Sequence, residues 1–334
     1  MEKVLSIIIP TYNMEKYLNK CLSSLIIPEV NHLYLLEVIV IIDGATDRSL
    51  EIAQGFQYQF PNSIRVINKE NGNYGSCINR GLAEAKGRYV KILDADDYIV
   101  TENLEKLLLF LKTANVDLVV TDFQTVDEKD DVTGIFRFYA QPSQDLPFSA
   151  IDVAGIMQMH MVTYKTENLR KLNYQQTEKV SYTDQEWIFT PMASVETFHY
   201  LNEVVYCYLL GREGQTMDAA VYQKSQPQLM TVCLNMAREF ETRKVSEQHR
   251  AYLAKRLYFN LRKIYKTALL DYAEADLSTL ADFDSCLKKE SPSAYKIVSS
   301  CKLNGKYPYI YVWRLFKYRK TPRLLQKYIQ KLFP

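Results

Sequence analysis

The chain has 334 residues, of which 47% are hydrophobic, so it can bury a sizeable core, and a disordered or fibrous protein is excluded. Its net charge of +2 hides an asymmetry. Residues 1–220 carry 19 Lys and Arg against 30 Asp and Glu, a net charge of −11, whereas residues 221–334 carry 22 against 9, a net charge of +13. We therefore predict two domains, 1–220 and 221–334, that face different surroundings.

The cysteines and the N-terminal segment both indicate a cytoplasmic protein. The six cysteines are scattered without a Cys-x-x-Cys pair, so we expect reduced thiols, and the four histidines argue against a His/Cys zinc site. The apolar run 4–9 ends at Pro10 and is too short for a signal peptide or a membrane span. We expect a cytoplasmic location, from which the protein can still contact the inner face of the cell membrane.

Short β-rich runs alternate with helical segments along the first domain. The predicted strands, in chain order, are 5–9, 37–42, 64–68, 89–93 and 116–121. Apolar residues at helical spacing lie between them, for example at positions 18, 21, 22 and 25 and at positions 104, 107, 108 and 111. This alternation predicts an α/β fold with a mainly parallel sheet flanked by helices. In such sheets ligands bind beyond the carboxyl ends of the strands.

Polar residues follow four of the predicted strands. These ends contain Pro10, Thr11, Tyr12 and Asn13; Asp43, Gly44 and Asp47; Lys69, Asn71 and Gly72; and Asp94, Ala95, Asp96 and Asp97. Any one of these ends, taken alone, is better explained as an ordinary turn or helix cap. Because all four carry a carboxylate or a stacking group, together they favour a ligand site.

The fourth end packs Asp94, Asp96 and Asp97 into four positions after an apolar strand. Like charges at this density are disfavoured unless a cation or a hydrogen-bond donor compensates them. With oxygen ligands available, the candidate ions are Mg²⁺ and Mn²⁺. The structural alternative is a solvated turn in which one of the carboxylates caps a helix that begins near Thr101.

The rest of the chain is less patterned. We predict irregular structure for residues 122–180, which are mixed and polar. His160, on an apolar stretch, is interpreted as a core residue, with a substrate contact as the alternative. From about Gln226 onward the spacing is helical, and Leu253, Leu257, Leu261 and Ile264 define an amphipathic helix.

Several segments together resemble the family 2 glycosyltransferases with the Rossmann-like GT-A fold, of the bacterial capsular or exopolysaccharide type. The segments are SIIIPTYN at 6–13, DGATD at 43–47, NRGL at 79–82 with AKG at 85–87, and LDADD at 93–97. Their order and spacing match as well as their residues. The resemblance covers residues 1–125 well and extends loosely to about residue 215, and the combination is far more specific than any single motif.

The resemblance implies roles for the residues at the strand ends. Tyr12 would lie against the nucleotide base, and Asp43 would accept a hydrogen bond from the base edge, usually uracil. Asp94 would lie near the ribose, and Asp96 would hold the Mn²⁺ or Mg²⁺ ion that bridges the donor diphosphate. Asp97 would support the metal site or contact the sugar. Further donor contacts are expected from Pro10, Thr11, Lys69, Asn71, Gly72, Ala95 and Arg212.

The resemblance also implies a catalytic base. Asp184, within YTDQEW, matches the position of the Asp in the family's Glu-Asp pair, with Thr183 in place of the Glu. The reaction would be a single displacement with inversion, in which Asp184 takes the proton of the acceptor hydroxyl. The alternative is that Thr183 or Asp184 caps a helix, and both roles can hold.

Two features limit or extend this interpretation. Ile78 stands where many family members carry Arg, so the positive charge for the diphosphate must come from the metal, Lys69, Arg80 or Arg212. Residues 206–216, with Tyr206, Tyr208 and Arg212, resemble a segment that we expect to form a flap over the donor, the alternative being an exposed loop.

The last 29 residues, 306–334, carry eight Lys and Arg and no acid, interleaved with aromatic residues. A helix of this kind can lie on an anionic membrane surface. Packing against its own domain is the alternative, and nucleic-acid binding, which such a composition also permits, is less favoured.

The sequence therefore predicts a metal-dependent inverting glycosyltransferase that moves a hexose or N-acetylhexosamine from a UDP-sugar to a glycan or lipid-linked acceptor in surface polysaccharide assembly. One alternative is a non-catalytic sugar-nucleotide or glycan-binding module on the same fold, which Ile78 and Thr183 would favour. A nucleotidyltransferase is less favoured, because the first strand end lacks a Gly-rich loop with Lys or Arg. The sugar, the acceptor and the oligomeric state stay open.

Overall fold

The computed structural model describes residues 2–151, 157–212, 219–271, 277–302, 305–306 and 308–315, and of residues 219–224 and 270–271 it describes the backbone alone. The chain divides into two compact units, 1–218 and 219–334. The first is a mixed α/β unit, and the second is helical in its described part.

One sheet organises the first unit. Its strands are β1 (Leu5–Thr11), β2 (Leu36–Asp43), β3 (Ile64–Lys69), β4 (Tyr89–Ile92), β5 (Tyr98–Ile99), β6 (Leu118–Val126), β7 (Val132–Phe136), β8 (Asp145–Pro147), β9 (Val162–Lys165) and β10 (Thr197–Leu209). Their order is β3-β2-β1-β4-β9-β6-β10-β5, with β7 paired to β6 and β8 paired to β10. Strands β3, β2, β1 and β4 are parallel, and so are β6 and β10, whereas β9 runs antiparallel to both β4 and β6. The predicted α/β fold is confirmed.

Helices cover this sheet and build the second unit. The first unit contains α1 (Leu18–Ser23), α2 (Val30–Leu33), α3 (Ser49–Gln59), α4 (Asn73–Glu84), α5 (Thr101–Thr113), α6 (Thr166–Lys171) and α7 (Asp184–Trp187). The second contains α8 (Ala219–Thr242), α9 (Glu247–Lys266), α10 (Leu277–Glu290), α11 (Pro292–Ser299) and α12 (Tyr309–Leu315).

The core forms where the sequence is continuously apolar. All eight residues of β2 are buried, as expected for a strand covered on both faces. Leucines 104, 107, 108 and 111, which define the buried face of α5, are fully buried. The helical face predicted in the second unit is also confirmed, because Leu253, Leu257, Leu261 and Ile264 are buried on α9.

The prediction of irregular structure for residues 122–180 is wrong. This stretch contains most of β6, the strands β7, β8 and β9, and the helix α6. Strand β7 is largely exposed and β9 has only four residues, so neither shows an apolar alternation long enough to detect. Their pairing partners lie elsewhere in the chain, and strand formation depends strongly on such contacts.

The basic segment 306–334 lies mostly outside the described residues. Within its described part, Arg314 of α12 forms an ion pair with the buried carboxylate of Asp284. Tyr309, Ile310 and Trp313 of the same helix are buried. The described part of the segment therefore packs within its own unit. Among the helices that the structure describes, none has the length and apolar character that crossing a bilayer requires.

Gly87 provides a test of the packing at the sheet. A Cβ atom there would lie 2.4 Å from the backbone nitrogen of Ser6 on β1, whereas a Cβ atom at Gly55 on α3 would meet nothing within 4 Å. We expect Gly87→Ala to lower the free energy of unfolding by about 1–3 kcal/mol through overpacking. Gly55→Ala should raise it by about 0.5–1 kcal/mol, since alanine favours the helix.

Urea denaturation of both variants measures these changes. Equal effects of the two substitutions would contradict the close approach of Gly87 to β1.

Candidate active site

The parallel strands bring the predicted site residues to one edge of the sheet. Thr11 ends β1, Asp43 ends β2 and Lys69 ends β3, and Asp43 is the register partner of Lys69. Asp94 follows β4, the strand on the other side of β1. The shared edge therefore collects side chains that are far apart in sequence, as the strand-end rule predicts.

Two donors contact the same oxygen of the Asp43 carboxylate. Lys69 Nζ donates to Asp43 Oδ1 over 2.5 Å, and the backbone N–H of Gly72 donates to the same oxygen over 3.0 Å. Asn71 Nδ2 donates to the backbone carbonyl of Asp43 over 2.9 Å. Both of the carboxylate donors use Oδ1, and the Cys77 thiol is a further hydrogen-bond partner of the carboxylate. Lys69 also donates to Ser76 Oγ, so its cation is fixed to this cluster.

Tyr12 directly follows the end of β1 and is 50% exposed. The next residue, Asn13, has a left-handed backbone with φ of 53° and accepts a hydrogen bond from the Thr46 backbone through Oδ1 over 2.8 Å. Thr11 is buried, and its hydroxyl donates to the Ile9 carbonyl. The turn after β1 is thus tied to the turn after β2, and it leaves the aromatic ring of Tyr12 accessible to a planar group.

The three carboxylates after β4 have different partners. Asp94 Oδ1 accepts from the Tyr74 hydroxyl over 2.7 Å. Asp97 is only 1% exposed, and it accepts from the Tyr206 hydroxyl over 2.6 Å and from the Leu209 backbone N–H over 2.8 Å. Helix α5 is preceded by Val100 and has no side-chain cap, so the alternative of a helix-capping carboxylate is wrong. The cluster is largely buried and is not a solvated turn.

Asp96 is paired with Arg212. The guanidinium Nε donates to Asp96 Oδ2. The side chain of Asp96 is 11% exposed and that of Arg212 is 18% exposed. The other two candidate cations have partners elsewhere, since Arg80 pairs with Glu84 and Lys69 pairs with Asp43. Of these three cations, Arg212 is therefore the partner of the carboxylates after β4. The prediction of a flap or an exposed loop is wrong for residues 206–209, which form the end of β10 and include the buried Tyr206. Residues 213–216 of the expected flap lie outside the described residues.

Burial and like charge perturb the cluster. Burial, followed by the charge of Asp96, raises the pKa of Asp94 to about 7. The same causes raise the pKa of Asp97 well above its usual range. The Tyr74 hydroxyl and the Arg212 charge act in the opposite direction on the pKa of Asp94, but they do not outweigh the burial. The cluster thus has an excess of negative charge over the compensation that surrounds it.

Asp184 begins α7 and lies close enough for its charge to raise the pKa of Asp94 further. Gln185 Nε2 donates to Asp184 Oδ2 over 2.6 Å. Thr183 occupies the N-cap position of α7, but its side chain makes no capping hydrogen bond. The structure therefore brings Asp184 to the cluster and does not support a capping role for the Thr183 hydroxyl.

Glu186 fixes the loop that presents Asp184, a role that the sequence did not predict. Its buried carboxylate accepts from the Thr177 backbone N–H over 2.7 Å and from the Thr177 hydroxyl over 2.6 Å. Next to it in the same loop, the Gln176 carbonyl accepts from Asn79 Nδ2 over 2.9 Å. The segment before α7 is thus tied to α4.

A second set of residues supports the cluster. His160 is buried, as predicted, with its ring stacked on Tyr208 at 4.5 Å between centroids and packed against Tyr206. Burial and the charge of Lys91 lower the pKa of His160 to about 3, so the imidazole is neutral. Lys91 is fully buried, donates to the His160 carbonyl over 2.6 Å, and has its pKa lowered to about 7 by burial. A lysine within an apolar strand is the sequence signal that could have revealed this role.

The residues present fit a hard divalent cation. Ligand atoms of Asp94, Asp97 and His160 all lie within 4.8 Å of one another. Both oxygens of Asp97 already accept hydrogen bonds, so this carboxylate is a poor ligand. Asp94 and Asp96 are better placed, because each binds one side-chain donor through a single oxygen. Carboxylate oxygens with uncompensated charge are the donor set that Mn²⁺ and Mg²⁺ prefer.

Residues 6–173, which are 168 of the 334 residues, match the family model described as Glycosyl transferase family 2. The chain belongs to glycosyl transferase family 2 and has the GT-A fold of that family.

Three relatives illustrate the similarity. Glycosyltransferase GlyG of Streptococcus pneumoniae is 32% identical over 158 residues, 47% of this chain and 50% of GlyG. Chondroitin synthase of Pasteurella multocida is 28% identical over 311 residues, 90% of this chain and 30% of the synthase. A crystal structure of TarS from S. aureus in complex with UDP-GlcNAc superposes with a TM-score of 0.62 at 19% identity, covering 91% of this chain and 95% of that one. At 19% identity this likeness establishes the fold alone, and the chain spans half or less of the two curated relatives.

The raised pKa of Asp94 predicts how stability depends on pH. Because the folded state binds a proton that the unfolded chain has released above about pH 4, the stability of the metal-free protein should fall as the pH rises toward 7. Asp94→Asn removes the charge and keeps the acceptor for Tyr74. We expect it to raise the free energy of unfolding by about 1–3 kcal/mol at pH 8, and by less at pH 4.5.

Urea denaturation with a chelator present measures this difference. Asp131→Asn, at an exposed carboxylate, is the control and should give the same small change at both pH values. A loss of stability with Asp94→Asn at pH 8 would contradict the charge excess.

Proposed function

We propose that this protein transfers a sugar from a UDP-sugar to a glycan or lipid-linked acceptor, with inversion at the anomeric carbon, in the assembly of a surface polysaccharide. The observation that carries the proposal is the convergence of Asp43, the carboxylates after β4, and Asp184 at one edge of a family 2 sheet. In this proposal Asp43 would bind the base, the carboxylates after β4 would bind the charged group and Asp184 would be the general base, which are the functions that a displacement at an activated sugar requires.

The donor's nucleoside would bind between the first two strand ends. The exposed ring of Tyr12 suits stacking on a base, and the carboxylate of Asp43 suits the N–H donor of uracil. Pro10 and Thr11 would shape this wall, while Lys69, Asn71 and Gly72 hold Asp43 in place. Asp94 would accept from a ribose hydroxyl through Oδ2, with the small, buried side chain of Ala95 next to it in the chain.

The diphosphate would lie against Asp96. A divalent ion bound there supplies charge stabilisation for the departing UDP. Asp96 would be its protein ligand, and Arg212, released from that carboxylate, would contact a diphosphate oxygen, replacing the arginine that many relatives carry at the position of Ile78. Manganese and magnesium both suit these oxygen ligands.

Asp184 would act as the general base. Its position near the cluster, at the start of a helix whose preceding segment is tied to α4, supports this role, and the deprotonated carboxylate can take the proton of the attacking hydroxyl. One displacement then completes the transfer, and no covalent sugar intermediate is needed.

The acceptor class rests on the relatives. One is named chondroitin synthase and another is named poly(ribitol-phosphate) β-N-acetylglucosaminyltransferase TarS, so both relatives are named for glycans or glycan-bearing polymers. Arg314 is paired with Asp284 within its own unit, and the other seven basic residues of 306–334 support contact with the anionic inner face of the cell membrane, where a lipid-linked acceptor would be found. We propose residues 221–334 as the domain for this association.

Two substitutions separate binding from chemistry. Asp96→Asn should abolish the Mn²⁺-dependent release of UDP from UDP-GlcNAc or a related UDP-sugar, because the ion loses its ligand. Asp184→Asn should lower kcat by about 100-fold or more while the affinity for UDP changes less than about two-fold. Steady-state kinetics and calorimetry measure the two quantities, and full activity of Asp184→Asn would overturn the assignment of the base.

The Arg212–Asp96 pair predicts competition between the arginine and the ion. Arg212→Gln should tighten the binding of Mn²⁺ to the donor-free protein by about 10-fold, because it removes a cation that occupies the ligand. The same variant should weaken the binding of UDP. Electron paramagnetic resonance of free Mn²⁺ measures the first effect.

Arg48→Gln, which breaks an exposed ion pair with Glu51, is the matched control and should change neither affinity. Weaker binding of Mn²⁺ to the Arg212→Gln variant alone would contradict the competition.

A further inference from the structure

The tyrosine at position 74 lies between the two predicted ends of the nucleoside site. It is the second residue of α4, and its hydroxyl donates to Asp94 Oδ1 over 2.7 Å. The residue two positions earlier, Gly72, donates its backbone N–H to Asp43 Oδ1. A single turn of chain therefore contacts both the carboxylate expected at the base and the carboxylate expected at the ribose.

This turn is held rigidly. Gly75 packs so closely that a Cβ atom there would lie 2.1 Å from the Thr177 carbonyl oxygen, and Ser76 Oγ accepts from Lys69 and donates to the Asn73 carbonyl. Asn73 adopts a left-handed backbone with φ of 67° at the start of α4. These contacts fix the backbone on both sides of Tyr74 and therefore restrict the direction from which its hydroxyl approaches Asp94.

Asp94 depends on this hydroxyl for its orientation. Among the described residues, the Tyr74 hydroxyl is the side-chain group that donates a hydrogen bond to the Asp94 carboxylate. The nearby Tyr206 hydroxyl instead accepts a hydrogen bond from the Asp94 backbone N–H. The bond engages Oδ1 and so directs Oδ2 away from Tyr74. An acceptor oxygen fixed in this way suits a ligand hydroxyl, because a bond to a preoriented carboxylate avoids the cost of ordering it.

We propose that Tyr74 is a positioning residue for the donor's ribose, which acts through Asp94 and sets the preference for a nucleotide with free ribose hydroxyls. The proposal rests on the proposed function, because it takes Asp94 as the ribose contact. Tyr74 itself does not touch the ribose. It holds the carboxylate whose other oxygen does.

The test measures the binding of UDP and of 2′,3′-dideoxy-UDP to the full chain by calorimetry, with Mn²⁺ present. The wild-type protein should prefer UDP. Tyr74→Phe, which removes only the hydroxyl, should weaken the binding of UDP by about 10-fold and leave the binding of the dideoxy analogue within about two-fold, so that the preference is lost.

Tyr89→Phe is the matched control. Tyr89 on β4 donates its buried hydroxyl to the Val116 carbonyl, so the substitution removes a phenol hydroxyl whose partner is outside the cluster. It should leave the preference for UDP unchanged. A general loss of structure in Tyr74→Phe would weaken the binding of both nucleotides equally, and this result distinguishes a structural role from positioning.

The outcomes are distinct. If Tyr74→Phe keeps the wild-type preference for UDP, or weakens the binding of both nucleotides equally, the proposal is overturned while the assignment of Asp94 stands. If the wild-type protein binds both nucleotides equally, the ribose assignment of Asp94 is overturned, and the proposal with it. Loss of the preference in both Tyr74→Phe and Asp94→Asn supports the proposal.

Discussion

The carboxylates that follow β4 are the constraint on which the rest of the site depends. Three of them stand within four positions at the end of a buried strand, where burial and mutual repulsion oppose their ionisation. Each has a different compensating group. A phenol from α4 serves Asp94, a guanidinium after β10 serves Asp96, and a phenol and a backbone N–H from β10 serve Asp97. The cluster is therefore built only when these elements meet.

Two kinds of compensation are present, and they suggest different tasks. The partners of Asp97 are buried and fixed, so this carboxylate supports the β4–β10 region. The partner of Asp96 is a single cation next to the part of the chain expected to form a flap. A charge balanced by an exchangeable cation is what a site needs if an ion and a diphosphate are to bind and leave. Charge held at a functional site in this way commonly lowers the stability of the unliganded protein.

The strand ends could be predicted from the sequence because one physical rule governs them. Parallel strands place their carboxyl ends on one edge, so the residue pattern alone was enough to group Asp43, Lys69 and Asp94. The compensating groups could not be found this way, because they depend on tertiary contacts. Tyr74 is 20 residues from its partner Asp94, and Arg212 is 116 residues from its partner Asp96. Residues 122–180 were mispredicted for the same reason, since β7 and β9 are defined by their partners.

The proposed function requires that a UDP-sugar binds at this edge with its diphosphate held through an ion on Asp96. A crystal structure of the protein with UDP and Mn²⁺ tests it most directly. We expect the ion on Asp96 and the diphosphate, the uracil between Tyr12 and Asp43, and Arg212 moved from Asp96 to a phosphate oxygen. UDP bound at another surface, or an ion bound without contact to Asp96, would contradict this claim.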